Sequence, residues 1–298
     1  MMPIAIAGVQ MHVSTDKENL SAMRARLAEL MHRFPWVQMV VFSELCAFGP
    51  NPVHAHPLPG PTEQIFQEMA SKHGVWLLPG SIFERRGEQL FNTAIVIDPA
   101  GKVVGRYRKM FPFRPYEADV EAGTEFLTFD VPQVGRFGVS ICYDMWFPET
   151  TRTLAAMGAE VILHPTMTNT LDRDVELAIA RASAAINQCY FVDINGVGGG
   201  GYGRSILVGP NGSVLYTAGS GEELLPFEAD LERVRRARKV GLHGLGQPLK
   251  SFRDRMVDFS VYRHGAPGFE SLAKLGELAV PQKPTGSGRI SESHGGDR

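Results

Sequence analysis

Three side chains in this 298-residue sequence have the types that acyl transfer requires: Glu44, Lys109 and Cys142. Each comes just after a stretch that reads as a strand: Val37 to Phe42, Val103 to Arg108 and Phe137 to Ile141. Ligands of α/β sheets bind beyond the carboxyl ends of the strands, so the three positions correspond. A thiolate can attack a carbonyl carbon. A carboxylate can take the thiol proton and return it to a leaving amine, while an ammonium group stabilises the oxyanion. Cys142 lies in Gly138-Val139-Ser140-Ile141-Cys142-Tyr143-Asp144-Met145-Trp146-Phe147-Pro148-Glu149, which passes from a strand into the first turn of a helix. A thiol between a strand end and a helix N-terminus is expected to ionise more easily. Each residue also has a plainer reading: a core cysteine, a solvated strand-end carboxylate, a surface lysine.

The elements that must position them alternate along the chain. Ile4 to Gln10 reads as the first strand. Thr15-Asp16-Lys17-Glu18 has the form of a capping box, followed by Leu20, Met23, Leu27 and Leu30 at helical spacing. Asn51 to Pro61 is a proline-rich loop, and Pro61 opens a helix that ends near Gly74. Val75 to Glu84 and Leu90 to Ile97 read as paired strands. Phe126 to Val131 and Phe137 to Ile141 are strands, Phe147 to Met157 a helix, and Glu160 to His164 a strand. Asp174 to Gln188 is predicted helical, with Val175, Ala178, Ile179, Ala182 and Ile186 on one face. Tyr190 to Ile194, Ser205 to Val208 and Ser213 to Tyr216 complete the strands, the last two joined by Pro210-Asn211-Gly212. This order favours one α/β domain over residues 1–280, with a tail over 281–298 whose Gly, Ser, Pro and charge content predicts disorder.

Composition narrows the function classes. Hydrophobic residues at 44%, charged residues at 21% and a net charge of −2 describe a soluble globular chain with no nucleic-acid or membrane partner. Arg235-Arg236-Ala237-Arg238-Lys239 is the one basic cluster, and at helical spacing after Glu232 it reads as a solvated helix end. Cys46, Cys142 and Cys189 are few, odd in number and far apart, which argues against a disulfide framework and for a cytoplasmic location. Gly198-Gly199-Gly200-Gly201-Tyr202-Gly203 satisfies the dinucleotide pattern formally, but a strand follows it where a helix is needed. His54-Ala55-His56 has no acidic or Cys partner nearby, so it reads as loop histidines. Cys46 is placed under the site and Cys189 in the core.

The sequence resembles the nitrilase superfamily of carbon–nitrogen hydrolases from about Ile4 to Leu231. The resemblance is carried by Val41-Phe42-Ser43-Glu44, by Gly105-Arg106-Tyr107-Arg108-Lys109 and by Ile141 to Glu149. His164-Pro165-Thr166, the Arg181-Ala182…Asn187 helix, Asn195…Gly198 and Ser205…Gly212 follow in family order. The resemblance implies an α/β, four-layer αββα sandwich assembled as a homodimer or higher homo-oligomer, with no metal and no organic cofactor. It makes Glu44 the general base, Lys109 the oxyanion stabiliser and Cys142 the nucleophile, with the Tyr143 N–H completing the oxyanion hole. Glu117 matches a second family glutamate that holds the lysine and orients the substrate amine; Glu121 is less well placed.

Tyr143-Asp144 after the cysteine favours amide over nitrile hydrolysis within this family. The expected substrate is therefore a small-molecule amide, cleaved through a thioester to acid and ammonia. A hydrolase of N-carbamoyl amines or amino acids, releasing carbon dioxide as well, is the alternative; nitrile hydrolysis and a silent binding module of the same fold stand behind it. Tyr116, Tyr143, Trp146, His164 and Met167 are the expected substrate-binding residues. Arg114 and Arg173 are candidates for a substrate carboxylate and equally for surface residues.

Overall fold

Short runs of buried apolar and β-branched residues build two sheets in the protein, known here from a computed structural model that describes residues 3–255, 257–263 and 270–280. The first sheet holds β1 (Ile4–Gln10), β3 (Met39–Phe42), β4 (Trp76–Leu78), β5 (Ser81–Arg86), β6 (Gln89–Ile97), β7 (Val103–Arg108) and β16 (Glu223–Ala229). Its order is β16-β1-β3-β4-β6-β5, with β7 also paired to β6. The second sheet runs β15-β14-β11-β10-β9-β8. Its strands are β8 (Leu127–Val131), β9 (Gly135–Val139), β10 (Val161–Thr166), β11 (Tyr190–Asn195), β14 (Ile206–Val208) and β15 (Val214–Thr217). A small third sheet joins β2 (His12–Val13) to the hairpin β12 (Val197–Gly198) and β13 (Gly201–Tyr202). The glycine-rich run is thus a tight hairpin with Gly198 and Gly201 at positive φ.

Three layers of apolar packing make this an αββα sandwich. Between the sheets, Ile4, Ile6, Val41 and Val96 meet Phe137, Val139, Leu163 and Val192. The opposite face of the first sheet packs on α1 (Leu20–Arg33) and α2 (Pro61–His73) through Met23, Leu27, Phe66 and Met69. The outer face of the second sheet packs on α3 (Pro148–Ala156) and α4 (Arg173–Asn187) through Leu154, Ala180 and Ala184. At roughly 25 cal/mol per Å² of apolar surface removed from water, these interfaces dominate the stabilisation. Each sheet centres on a parallel trio, β1-β3-β4 and β9-β10-β11. Strand β7 is antiparallel to β6, which is antiparallel to β4, so β7 shares the sense of β3. The residues after β3 and β7 therefore emerge at one end of the sheet.

Several local expectations change. The capping box does not form. Helix α1 starts at Leu20, and Asn19 turns its side chain back to Ser14 while its N–H reaches the Ala47 carbonyl at 2.7 Å. Val75 to Glu84 is two strands, because Gly80 bends the chain at φ 79°. The predicted apolar face of α4 is not its inward face. Arg173, Glu176, Ala180, Ser183, Ala184 and Asn187 face in, whereas Val175 and Ile186 are 47% and 41% exposed. The basic cluster lies in α5 (Leu231–Val240) and is not simply solvated. Arg235 bonds Glu160 at 2.8 Å, and Arg238 donates to the Ala159 and Gln188 carbonyls. Strand β16 and α6 (Pro248–Asp254) have no counterpart in the sequence reading.

The chain divides into one unit of residues 1–112 and 119–258 and a second of residues 113–118 and 259–298. In the second unit, Phe113 and Tyr116 stack with ring centroids 5.0 Å apart. A 3-10 turn at Ser260–Tyr262 and α7 (Glu270–Ala273) follow. The expected disordered tail, 281–298, lies outside the described residues.

Candidate active site

Glu44 and Lys109 meet at the end of the first sheet. Strand β3 ends at Phe42, and the turn that follows buries Glu44 with its N–H on the Thr166 carbonyl of β10, at 3.2 Å. That bond ties the first sheet to the second at the site. Lys109 follows β7 directly, and its N–H donates to the Asn92 carbonyl at 2.8 Å. The Lys109 Nζ and the Asn92 Nδ2 both donate to Glu44 Oε1, at 2.9 and 2.8 Å. An ion pair this enclosed is held by geometry, since losing either partner leaves a buried charge at a cost of about 3–5 kcal/mol. Arg108 and Thr93 bond the Glu84 carboxylate nearby and so fix β7 against its neighbours.

Cys142 opens a 3-10 turn over Cys142–Trp146 at φ 46°, a left-handed conformation that non-glycine residues adopt at a cost. Asp144 holds this turn. Fully buried, it accepts from the Ile141 N–H at 2.8 Å, the Tyr107 hydroxyl at 2.7 Å and the Phe111 N–H at 2.8 Å. Tyr107 and Phe111 flank Lys109, so one carboxylate fastens the cysteine turn to the lysine segment. Stacking of Phe111 on Phe147, with centroids 3.6 Å apart, repeats the link. Burial pushes the Asp144 carboxyl up to about 6, against the three donors.

The expected easing of thiol ionisation is overturned. Helix α3 starts only at Pro148, so the thiol lies a whole 3-10 turn from that helix N-terminus. Cys142 is 8% exposed, and burial together with the Glu44 charge raises its pKa well above the ordinary thiol value. Lys109 and the Met167 N–H pull the other way, while Glu176 adds to the rise. The resting sulfur is therefore held as a neutral thiol, which would need a base before it could attack a carbonyl. Cys46 and Cys189 are enclosed more completely, each pushed up to about 12 by burial.

The remaining sequence candidates divide. Met167 follows β10, and Tyr143 and Trp146 lie on the cysteine turn, half-buried. His164 is fully buried inside β10, its Nδ1 paired with the Ser140 hydroxyl at 2.7 Å. Burial and the Arg173 charge lower its pKa to about 3, so it is neutral. Arg173 is no surface residue: at 1% exposure it pairs with Glu176 and Asp193. Glu117, Tyr116 and Arg114 belong to the second unit. There Glu117 accepts from the Phe113 N–H at 2.5 Å, Arg114 donates to the Ala118 carbonyl at 2.6 Å, and Tyr116 is 62% exposed. Glu121 lies in the first unit, its N–H on the Leu90 carbonyl. His54 and His56 pack their rings on Phe48. Among the described residues no three His, Cys, Asp or Glu side chains converge as metal ligands.

Sequence reading missed Asn92, Tyr107 and the supporting role of Asp144. The signal for Asn92 was present, since it is a carboxamide inside the apolar run Leu90 to Ile97.

Residues 4–239 match the carbon-nitrogen hydrolase family. An ω-amidase of Homo sapiens is 30% identical over 206 residues, covering 63% of this chain and 73% of that protein. An N-carbamoylputrescine amidase of Solanum lycopersicum is 32% identical over 230 residues, covering 68% and 73%. In three dimensions, a Saccharomyces cerevisiae member of branch 10 of the nitrilase superfamily superposes with a TM-score of 0.72 at 28% identity, covering 80% of this chain and 94% of that one.

Proposed function

We infer the function from the premise that this chain belongs to the carbon–nitrogen hydrolase family. It is a hydrolase of carbon–nitrogen bonds other than peptide bonds, an amidase that works through a cysteine. The reading of its residues is ours. Cys142 gives its proton to Glu44 as the sulfur attacks the amide carbon. Lys109 and the Tyr143 N–H stabilise the oxyanion, Glu44 protonates the departing ammonia, and a thioester remains on Cys142. Water then gives a proton to Glu44, attacks the thioester and releases the acid, returning the thiol. One observation carries this reading. Lys109 and Asn92 grip a single oxygen of Glu44, and both Glu44 and Lys109 act on a thiol that burial keeps neutral. A base poised beside a neutral thiol fits general-base attack.

Cys142→Ala should abolish hydrolysis across a panel of small amides. Glu44→Gln should also lose hydrolysis and leave Cys142 without an acyl adduct in intact-mass spectra after incubation with the amide, because the neutral thiol then has no base. Hydrolysis by Cys142→Ala would end the assignment. The similarity to an N-carbamoylputrescine amidase favours a second substrate class, a ureido group on an amine. Carbon dioxide released with ammonia would identify it. We also propose a homodimer or higher homo-oligomer built on the exposed apolar face of α4, in the cytoplasm, where three free thiols are stable.

A further inference from the structure

Lys109 and Cys142 come from different sheets, and one side chain ties their segments together. Lys109 follows β7 of the first sheet, and the cysteine turn follows β9 of the second. Asp144 of that turn is fully buried. Its Oδ2 accepts from the Ile141 N–H at 2.8 Å and from the Tyr107 hydroxyl at 2.7 Å. Its Oδ1 accepts from the Phe111 N–H at 2.8 Å. Ile141 and Asp144 bracket the cysteine, and Tyr107 and Phe111 bracket the lysine. The Asp144 backbone is fixed as well. Its N–H reaches the Ile141 carbonyl at 3.0 Å, and its own carbonyl takes the Thr150 hydroxyl of α3 at 2.8 Å. Tyr107 is enclosed in the core between the sheets.

We propose that Asp144 and Tyr107 are positioning residues: through their hydrogen bond they hold the Lys109 ammonium against the Cys142 sulfur. The proposal rests on the reading of Cys142 as nucleophile and Lys109 as oxyanion stabiliser. Both partners of the 2.9 Å Lys109–Glu44 ion pair leave the first sheet, so that pair alone does not fix the approach to a sulfur carried by the second. The Asp144 carboxylate supplies the missing link. An ammonium held near a thiol favours the thiolate, and one withdrawn from it does not. The remaining charges that act on the sulfur, Glu44 and Glu176, are carboxylates and oppose ionisation, while His164 on β10 is neutral. Loss of the Asp144 charge by itself would favour the thiolate. Loss of the ammonium it positions has the opposite sign.

The test reads the thiolate fraction without any substrate. The rate of Cys142 alkylation by iodoacetamide is measured at pH 8 and assigned by peptide mass, beside the melting temperature of each variant. Below the thiol pKa this rate is proportional to the thiolate present. At that pH the Asp144 carboxyl, at about 6, is ionised, and the Tyr107 hydroxyl, raised by burial, keeps its proton. Tyr107→Phe keeps the ring and every charge, and it should be alkylated roughly threefold or more slower than the native protein. Asp144→Asn should also be slower, because one amide oxygen cannot serve the Ile141 and Phe111 N–H groups on its two sides. A merely structural role predicts the reverse, since a loosened turn exposes the sulfur. In a Lys109→Met background, Tyr107→Phe should leave the rate unchanged, because the ammonium it positions is gone. Either single variant alkylated as fast as native, or Tyr107→Phe slowing the reaction equally without the lysine, overturns the proposal. If Asp144→Asn or Lys109→Met does not fold, Tyr107→Phe decides alone. Retained hydrolysis by Cys142→Ala fails the reading of the nucleophile, whereas an unslowed Tyr107→Phe fails this proposal, so the two failures are told apart.

Discussion

His164 shows how burial, helped by two nearby cations, decides the state of a side chain. Its folded pKa of about 3 lies far below the ordinary 6.5, because desolvation and the nearby Arg173 and Lys109 charges oppose a proton. The unfolded chain takes that proton and the folded chain refuses it. The stability tied to His164 is therefore complete above pH 6.5 and is lost as the pH falls toward 3. In His164→Gln, denaturant curves taken between pH 6.5 and 4.5 should fall less steeply, by up to about 1.4 kcal/mol per pH unit. A variant slope equal to the native one would refute this. Asp144 and Asp193, raised to about 6 and 7, add stability as the pH falls, but they do so in both proteins and cancel in the comparison. At this scale the positions of the candidate residues were legible, since Glu44, Lys109 and Cys142 each follow a readable strand and Glu44 meets Lys109 in the fold. Their partners were not. Asn92, Tyr107 and Thr166 are ordinary strand residues until the pairing of sheets brings them to the site. The direction of the thiol shift was misread for a related reason, since sequence displays a helix start but not the enclosure around it.

The turn between β4 and β5 matters more than its length suggests. Gly80 sits at φ 79°, and a Cβ there would lie 1.8 Å from the Ser43 carbonyl oxygen, one residue before Glu44. Ser81, next in the chain, accepts the Leu45 N–H on its hydroxyl at 3.1 Å. The β4–β5 turn is thus pressed against the segment that presents Glu44. Gly80→Ala should destabilise the fold by about 3 kcal/mol, combining left-handed strain with overpacking. It should also lower kcat, because the displaced carbonyl carries Glu44 off its lysine. Native activity in a folded Gly80→Ala protein would contradict that coupling. Most elements were readable from periodicity and turn residues, as β1 and the Pro61–His73 helix show. Helix α4 was readable as a helix but not in its orientation, because an ion cluster claims the inward face and the apolar stripe is left outside.

That outward stripe is the clearest statement the chain makes about its assembly. Val175 and Ile186 lie exposed on α4, with Ala178 and Ala182 on the same face. This stripe is the face on which the proposed homo-oligomer is built. If α4 carries the proposed homo-oligomer, Val175→Glu combined with Ile186→Glu should sediment as monomer in velocity runs while the melting temperature stays within a few degrees. An unchanged sedimentation coefficient would remove α4 from the interface. The bond from the Glu44 N–H to the Thr166 carbonyl, which crosses from one sheet to the other, bears on biosynthesis. Glu44 and Lys109 leave the ribosome well before Cys142, and neither sheet alone carries all three. Until the sheets dock, the Cys142 thiol lies open to solvent and ionises as an ordinary thiol does. The chain is thus more exposed to oxidants while it is being made than at any time after it has folded.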